Sequence, residues 1–272
     1  MVVQYWATPR TCISVFGGAS GLHDLLVPNL RRVIGMGVVY TALATGGMIL
    51  DGGTKAGVMD MIGSSVKNAF TNCLRIVGCS PEGVCAPTTT KHGTSCWSHC
   101  GRAAWRAGVV NYPGKTPGEN NADLEPNHTH FVLVPSDDWG GETSTMFTLV
   151  EVLVRRIPVV AVLANGGQIS KHEVVNAVRH GVAIVVIEGS GRLADQVARY
   201  VRHRDANPEW SPDTLAGDDP MLAEVLRDGR LHLFNVTESW QGMQELLTKL
   251  LAHERHKLVR QPLALTWQGT NA

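Results

Sequence analysis

One stretch of sequence decides the predicted fold: Met48-Ile-Leu-Asp-Gly-Gly-Thr-Lys-Ala-Gly-Val-Met-Asp-Met-Ile-Gly63. It predicts a short apolar strand, a glycine-rich turn that carries one lysine, and a helix. Such a turn leaves backbone N–H groups open at a helix N-terminus, where the helix dipole favours a phosphate or a carboxylate. The pattern matches neither the dinucleotide fingerprint G-x-G-x-x-G nor the P-loop G-x-x-x-x-G-K-S/T. The residues by themselves therefore leave an anion site and a plain strand-to-helix turn as alternatives.

The same order of strand, turn and helix recurs along the chain. Besides the strand in the opening stretch, strands are predicted at residues 11–16, 74–79, 131–134, 157–163, 182–187 and 231–236. Helices are predicted from Pro28 and at residues 56–72, 142–156, 171–180, 192–203 and 240–253. Because strands separated by helices pair in parallel, we predict an α/β fold. It is a Rossmann-like, doubly wound and mainly parallel sheet with helices on both faces.

The units predict a single domain over residues 1–272, without a convincing internal boundary. Residues 80–126 form an irregular insertion with little periodicity, and insertions of this length are usually functional or mobile. A polar, proline-bearing link at 205–219 opens a C-terminal extension, 205–272, which contains the last strand and the last helix.

Composition excludes several classes of protein. Lys and Arg total 24, as do Asp and Glu, and no block of like charges predicts a nucleic-acid surface. No apolar run reaches the roughly 18 residues of a membrane span, and no basic leader precedes an apolar core. Six cysteines in 272 residues do not make a disulfide framework. We therefore expect a cytoplasmic protein without a membrane span, a secretion signal or nucleic-acid binding.

Glycine-bearing turns follow four of the predicted strands. If the sheet is parallel, all four lie at its carboxyl edge and predict a nucleotide-sized, phosphate-bearing ligand, with purely structural turns and ordinary helix caps as the alternative. The four turns are Gly17-Gly-Ala-Ser-Gly21, Gly52-Gly-Thr-Lys55, Trp139-Gly-Gly-Glu-Thr143 and Glu188-Gly-Ser-Gly-Arg192.

Several motifs, in matching order and spacing, resemble the cytoplasmic amino-terminal region of melastatin-type transient receptor potential channels. They are Ile13-Ser-Val-Phe-Gly-Gly-Ala19, Gly52-Gly-Thr-Lys-Ala-Gly-Val-Met59, Glu125-Pro-Asn-His-Thr-His-Phe-Val-Leu-Val134, Gly140-Gly-Glu-Thr143, Ile157-Pro-Val-Val160 and Val186-Ile-Glu-Gly-Ser-Gly-Arg-Leu-Ala-Asp195. That region belongs to the SLOG superfamily of Rossmann-like nucleotide-binding domains. The chain resembles a prokaryotic-type member without the channel, and the resemblance covers about residues 11–202.

The resemblance implies a sensor of ADP-ribose or a related NAD-derived nucleotide, cyclic forms included, as in channels and antiphage signalling. Such a sensor requires no further cofactor. The resemblance also implies a response by conformational change, by homo-oligomerisation or by contact with a separate effector chain. The turns and the matched positions together predict these ligand-binding residues: Gly17, Gly18, Ala19, Ser20, Gly53, Thr54, Lys55, Met59, His128, Gly140, Gly141, Glu142, Thr143, Gly189, Ser190, Gly191 and Arg192.

An enzyme is the alternative interpretation. The same superfamily includes LOG-type phosphoribohydrolases, which cleave the glycosidic bond of nucleoside monophosphates and carry P-G-G-x-G-T-x-x-E. The turn at 139–147 lacks both the proline and the carboxylate after Thr143, so the hydrolase glutamate has no direct counterpart. Glu142 is the catalytic candidate because a carboxylate can stabilise an oxocarbenium-like centre. The favoured alternative for Glu142 is a first-turn glutamate that complements the helix dipole.

Histidines and cysteines raise the question of a metal. In Asn127-His-Thr-His130 the histidines lead into a strand, and we expect only one of them, His128 by preference, to face a pocket. A structural role for it is favoured over catalysis. Cys96-Trp-Ser-His-Cys100, with Cys85 and His92, lacks the paired C-x-x-C of strong zinc sites, and we predict no metal.

Overall fold

The computed structural model describes residues 8–18, 25–68, 74–86 and 122–260. The strands are β1 (Cys12–Gly17), β2 (Met48–Asp51), β3 (Arg75–Pro81), β4 (Cys85–Ala86), β5 (Ala122–Asp123), β6 (His130–Val134), β7 (Val159–Ala164), β8 (Ala183–Glu188) and β9 (Arg230–Asn235). The α-helices are α1 (Val27–Arg32), α2 (Tyr40–Ala44), α3 (Gly57–Asn68), α4 (Thr143–Val154), α5 (Gln168–Arg179), α6 (Arg192–Ala206), α7 (Pro212–Ala216), α8 (Pro220–Asp228) and α9 (Trp240–Arg260). A π-helical segment, Val33–Val39, joins α1 to α2.

Seven strands form one sheet in the order β6-β3-β2-β1-β7-β8-β9, and every neighbouring pair is parallel. This arrangement confirms the predicted Rossmann-like fold. The chain moves outward from β1 to β6 on one side and then returns to place β7 beside β1. The order of strands therefore reverses between β1 and β7, and open α/β sheets bind ligands in the crevice at such a switch point.

Helices cover both faces of the sheet. In β1, Ile13 and Val15 face a core shared with α1, α3 and α9, whereas Cys12 and Phe16 face a second core shared with α4, α5, α6 and α8. Every residue of β7 is buried. Burial on both faces explains why the strands are continuous apolar runs instead of alternating ones.

The predicted polar link at 205–219 is partly helical, since it contains α7, and the sequence reasoning missed α8 altogether. The side chain of Asp219 caps α8 by accepting a hydrogen bond from the backbone N–H of Leu222 at 3.1 Å. Pro220 begins the helix, and Val225 and Leu226 are buried against the second core. A nine-residue helix between a polar link and a strand offers too short a periodic pattern to be recognised.

The two described ends of the 80–126 insertion pair with each other. Strand β4 runs parallel to β5 in a separate two-stranded sheet, and a 3₁₀ turn, Glu82–Val84, leads into β4. Residues 87–121 lie outside the described residues, and so do Cys96, Cys100 and His92 of the zinc alternative. In the described ranges, no helix has the length and apolar character to cross a membrane.

Candidate functional site

The turn after β2 is held by atoms of its neighbours. Gly53 has φ +69°, and its backbone N–H donates to Asp51 Oδ1 at 2.8 Å. A Cβ at Gly53 would lie 2.8 Å from the Cα of Gly78 in β3, so no larger residue fits there. Ser80 Oγ donates to the carbonyl of Gly52 at 2.5 Å. Gly53 thus allows close packing between the ends of β2 and β3.

The rest of this turn divides into buried and exposed residues. Thr54 is buried and pairs with Leu124, and Met59 is buried in the core of the α3 face. Lys55 is exposed, while its backbone N–H donates to the carbonyl of Asp123 at 2.7 Å. Of the predicted ligand residues here, Lys55 is the one whose charged group reaches solvent.

His128 lies buried between two carboxylates. Its Nε2 is 2.7 Å from Asp51 Oδ1, and its Nδ1 is 3.0 Å from Glu125 Oε2. Burial alone would lower the His128 pKa, but the charge of Asp51 and the hydrogen bonds to both carboxylates outweigh it and raise the pKa to about 9. A doubly paired, charged imidazole fits the structural role that the sequence favoured. His130 lies on the strand itself, half-buried, with Nδ1 2.8 Å from Thr129 Oγ1.

A fifth turn, Asn165-Gly166-Gly167, follows β7 at the switch point, and the sequence reasoning missed it. Asn165 has φ +59° and Gly166 has φ +92°. Ser190 Oγ accepts from the backbone N–H of Asn165 at 2.7 Å and donates to the carbonyl of Ile187 at 2.5 Å. The sequence does indicate this turn, because Asn-Gly-Gly after an apolar run is typical of a turn.

Arg192 brings the turn after β8 to the turn after β7. It begins α6 with φ +45°, an uncommon conformation for a residue with a side chain, directly after Gly191 at φ +105°. Its Nη2 lies 2.8 Å from the position that a Cβ on Gly167 would occupy. The backbone N–H of Ala194 donates to the carbonyl of Asn165 at 2.9 Å. The guanidinium group therefore lies over the switch-point turn.

Gly17 lies on the other side of the switch point. A Cβ at Gly17 would meet Val58 Cγ2 at 2.7 Å and the carbonyl oxygen of Ala164 at 3.1 Å. Gly18, which follows it, is buried. Ala19 and Ser20, predicted for the same turn, lie outside the described residues. The structure thus brings Gly17, Gly189, Ser190, Gly191 and Arg192 to the strand ends around β1, β7 and β8.

The turn after β6 places Glu142 at the start of α4. Its Oε2 accepts from the backbone N–H of Gly140 at 2.8 Å, so the carboxylate closes its own turn. Gly140 has φ +92°, Gly141 is exposed, and Thr143 is buried as the first residue of α4. The thiol of Cys79 donates to the backbone carbonyl of Glu142 at 3.8 Å, which places this turn beside the end of β3.

A second buried carboxyl group, Glu173 of α5, interacts electrostatically with Glu142. Burial and then the charge of Glu142 raise the Glu173 pKa to about 8, against a hydrogen bond with Ser170. Burial also raises the pKa of Glu142. Burial followed by both carboxylates raises the pKa of the Cys79 thiol to about 12. Glu173 therefore holds a proton at neutral pH, and sequence reasoning did not identify it.

Among the described residues, no group of three or more His, Cys, Asp or Glu side chains is placed to hold a metal ion. Cys85, the one cysteine of the zinc alternative that is described, is a half-buried free thiol. Burial, as the largest cause, raises its pKa to about 11. A thiol that retains its proton is a poor metal ligand.

Comparison with known proteins identifies the family of this chain. The family model described as "SLOG in TRPM, prokaryote" matches residues 10–243, from the residue before β1 into α9. The chain belongs to this family. The match confirms the resemblance to the SLOG region of melastatin-type channels, and this SLOG domain extends through β9.

Individual relatives are full-length channels. The domain is 29% identical over 223 residues to transient receptor potential cation channel subfamily M member 2 of Mus musculus, covering 73% of this chain and 14% of that protein. It is 26% identical over 287 residues to subfamily M member 7 of Homo sapiens, covering 97% of this chain and 15% of that protein. It is 29% identical over 220 residues to the subfamily M member-like 2 protein of Nematostella vectensis, covering 72% and 13%. The chain thus spans about one seventh of the length of the channels that it matches.

Proposed function

We propose that this SLOG domain binds ADP-ribose or a related NAD-derived nucleotide, cyclic forms included, at the carboxyl edge of its sheet. Binding is transmitted through conformational change or through assembly with another chain. The observation that carries the proposal is the position of the Arg192 guanidinium over the Gly167 turn, at the reversal of the strand order. A guanidinium above backbone amides at a helix start suits a diphosphate.

Backbone groups, more than hydroxyl side chains, supply the rest of the predicted phosphate contacts. The hydroxyl of Ser190 is engaged by Asn165 and by Ile187, so its role is to hold the turn. Thr54 is likewise buried, and its backbone pairs with Leu124. Two cationic side chains, Arg192 and the exposed Lys55, then provide the charge that a diphosphate bridge requires.

Thermal unfolding with a panel of ADP-ribose, cyclic ADP-ribose isomers, NAD and AMP tests the proposal. A ligand at a hundredfold excess over its Kd stabilises the folded domain by about 2.7 kcal/mol. Arg192→Gln and Lys55→Glu should each reduce this stabilisation. Arg155→Gln, which removes an exposed cation paired with Glu151 on α4, is the control and should retain it. A panel without any shift would exclude the sensor function.

The electrostatic interaction of Glu142 with the proton-bearing Glu173 favours one alternative function, hydrolysis of a nucleotide N-glycosidic bond. In this reaction the bond between C1′ and the base nitrogen breaks and the leaving base keeps its electron pair. Water forms the new C1′–O bond, and Glu142 accepts the proton that the water loses. Glu173 would hold a proton in reserve beside that carboxylate.

Release of free base from NAD or from nucleoside monophosphates measures the alternative directly. Hydrolysis by the unmodified domain should disappear in Glu142→Gln, while Glu245→Gln, an exposed carboxylate on α9, should leave it intact. Turnover that survives Glu142→Gln would remove Glu142 from the reaction. Binding without turnover leaves the sensor as the function of the site.

A further inference from the structure

A surface depression of about 500 Å³ lies at the opposite, amino edge of the sheet, where the edge strand β9 begins. Residues at the end of α6, at and just before the start of β9, and in the middle of α9 line it. They are Arg204, Gly229, Arg230, Leu231, His232, Lys249, Leu250 and His253. Basic and apolar residues are present in this lining, and acidic ones are absent from it.

Positive charge exceeds negative charge around the depression. Arg230 Nη2 pairs with Glu254 Oε1 at 2.5 Å, but that carboxylate oxygen is also 3.5 Å from Lys257 Nζ. Arg204 Nε pairs with the exposed Asp205 at 2.9 Å. Within the described part of the chain, no carboxylate forms an ion pair with Lys249. The side chain of Lys249 is exposed beside the depression, free to contact a ligand.

The excess of positive charge contributes to a lowered pKa of His232. It lies on β9 between Arg230 on its own strand and Lys249, His253 and Glu254 on α9, with Arg204 of α6 completing the lining. Burial lowers the His232 pKa first, and Arg230, His253 and Lys249 lower it further against the opposing charge of Glu254. Burial and the cationic neighbours together therefore favour the neutral imidazole, and a bound anion would oppose the contribution of those neighbours.

We propose that this depression is a second ligand site, specific for a small, multiply charged phosphate compound of the diphosphate class. Its volume lies within the range of about 300–1,000 Å³ that is typical of small-molecule sites. Guanidinium and ammonium groups from three elements surround it, as multidentate phosphate recognition requires. Leu231 and Leu250 add an apolar wall for the rest of the compound. Because it lies at the amino edge, it is separate from the nucleotide site proposed at the carboxyl edge.

Titration with inorganic pyrophosphate tests the proposal, with the ring resonances of His232 as a local readout assigned by their loss in His232→Gln. Pyrophosphate should shift these resonances saturably, and its negative charge should raise the His232 pKa. Lys249→Gln and Arg204→Gln should each weaken binding at this site at least tenfold, and Lys249→Arg should restore most of it. Lys249 is exposed, so its replacement leaves the folded core intact.

Arg155→Gln is the matched control, because it removes an exposed arginine that directly follows α4. It should leave the His232 response unchanged. His232 resonances that do not respond to pyrophosphate would overturn the proposal. An equal loss of affinity in Arg155→Gln and Lys249→Gln would also overturn it, since the effect would then reflect only the net charge of the domain.

Discussion

His128 Nε2 lies 2.7 Å from Asp51 Oδ1, and that same carboxylate oxygen accepts the backbone N–H of Gly53 at 2.8 Å. One buried carboxylate therefore fixes both the glycine turn after β2 and the segment that leads into β6. Glu125 completes the arrangement from the other side of the imidazole. The carboxylate of Glu125 also packs against α3, because a Cβ on Gly63 of that helix would lie 2.0 Å from the Cδ atom of Glu125.

The first prediction concerns pH. The folded-state pKa of His128, about 9, lies above its ordinary value of 6.5, so its protonation stabilises the folded domain. This stabilisation, of up to about 3 kcal/mol, is fully present below about pH 6.5 and is lost as the pH rises through 9. Denaturant unfolding between pH 6 and 9.5 should show a falling free energy of unfolding.

The corresponding variants separate His128 from other titrating groups. His128→Gln should lower the free energy of unfolding at pH 7 by about 3 kcal/mol or more, because it leaves two buried carboxylates without their cation. It should also flatten the decline above pH 7. His172→Gln, an exposed histidine on α5, should keep the stability and the pH profile of the unmodified domain. A variant at His128 with an unchanged profile would contradict this account.

The second prediction concerns Glu173, a buried carboxyl group that destabilises the folded domain when the pH is high. The pKa of Glu173 is raised from 4.5 to about 8 in the folded domain, so folding favours its protonated form and is opposed increasingly as the pH rises from 4.5 through 8. Glu173→Gln should therefore raise the free energy of unfolding at pH 8 by about 1–3 kcal/mol, and by almost nothing at pH 5. The exposed Glu245→Gln should give no such pH-dependent gain.

The fold was predictable because short, continuous stretches of sequence indicate its strands and turns. Strands buried on both faces are continuous apolar runs, and the glycine turns that end them are visible in the sequence. The parallel arrangement then follows from the helices between strands. Two features were not predicted, α8 and the turn at Asn165. The nine residues of α8 give a periodic pattern that is too short to recognise.

The site was less predictable because its geometry depends on contacts that are distant in sequence. Asp51 and His128 are 77 residues apart, and nothing near either residue indicates the pair. Glu173 occupies a helix whose polar residues mostly face solvent, so its burial beside another carboxyl group follows only from the packing of α4 and α5. Ligand contact by the predicted residues remains a prediction.

The third prediction separates backbone strain from close packing. Gly53 and Gly181 have nearly equal φ values, +69° and +66°, but a Cβ at Gly181 would meet nothing within 4 Å. Gly181→Ala should therefore cost only the left-handed strain, about 1 kcal/mol. Gly53→Ala adds a collision with the backbone of β3 and should cost about 3 kcal/mol or more. Equal losses of unfolding free energy would show that the turn can move away from Gly78.

The fourth prediction concerns Arg192, which holds a side chain at φ +45° above the turn at Gly167. Arg192→Ala and Arg192→Gly both remove the guanidinium group, so both should weaken nucleotide binding to the same extent. Only glycine relieves the backbone strain, and Arg192→Gly should therefore be more stable than Arg192→Ala by about 1 kcal/mol. Chemical denaturation measures this difference, and the ligand-induced thermal shift measures the binding. Strain retained at a residue that also recognises the ligand would explain why an arginine, and not a glycine, begins α6. If Arg192→Gly is more stable but binds the nucleotide as well as the unmodified domain, Arg192 does not contact the ligand, and the strain has no role in recognition.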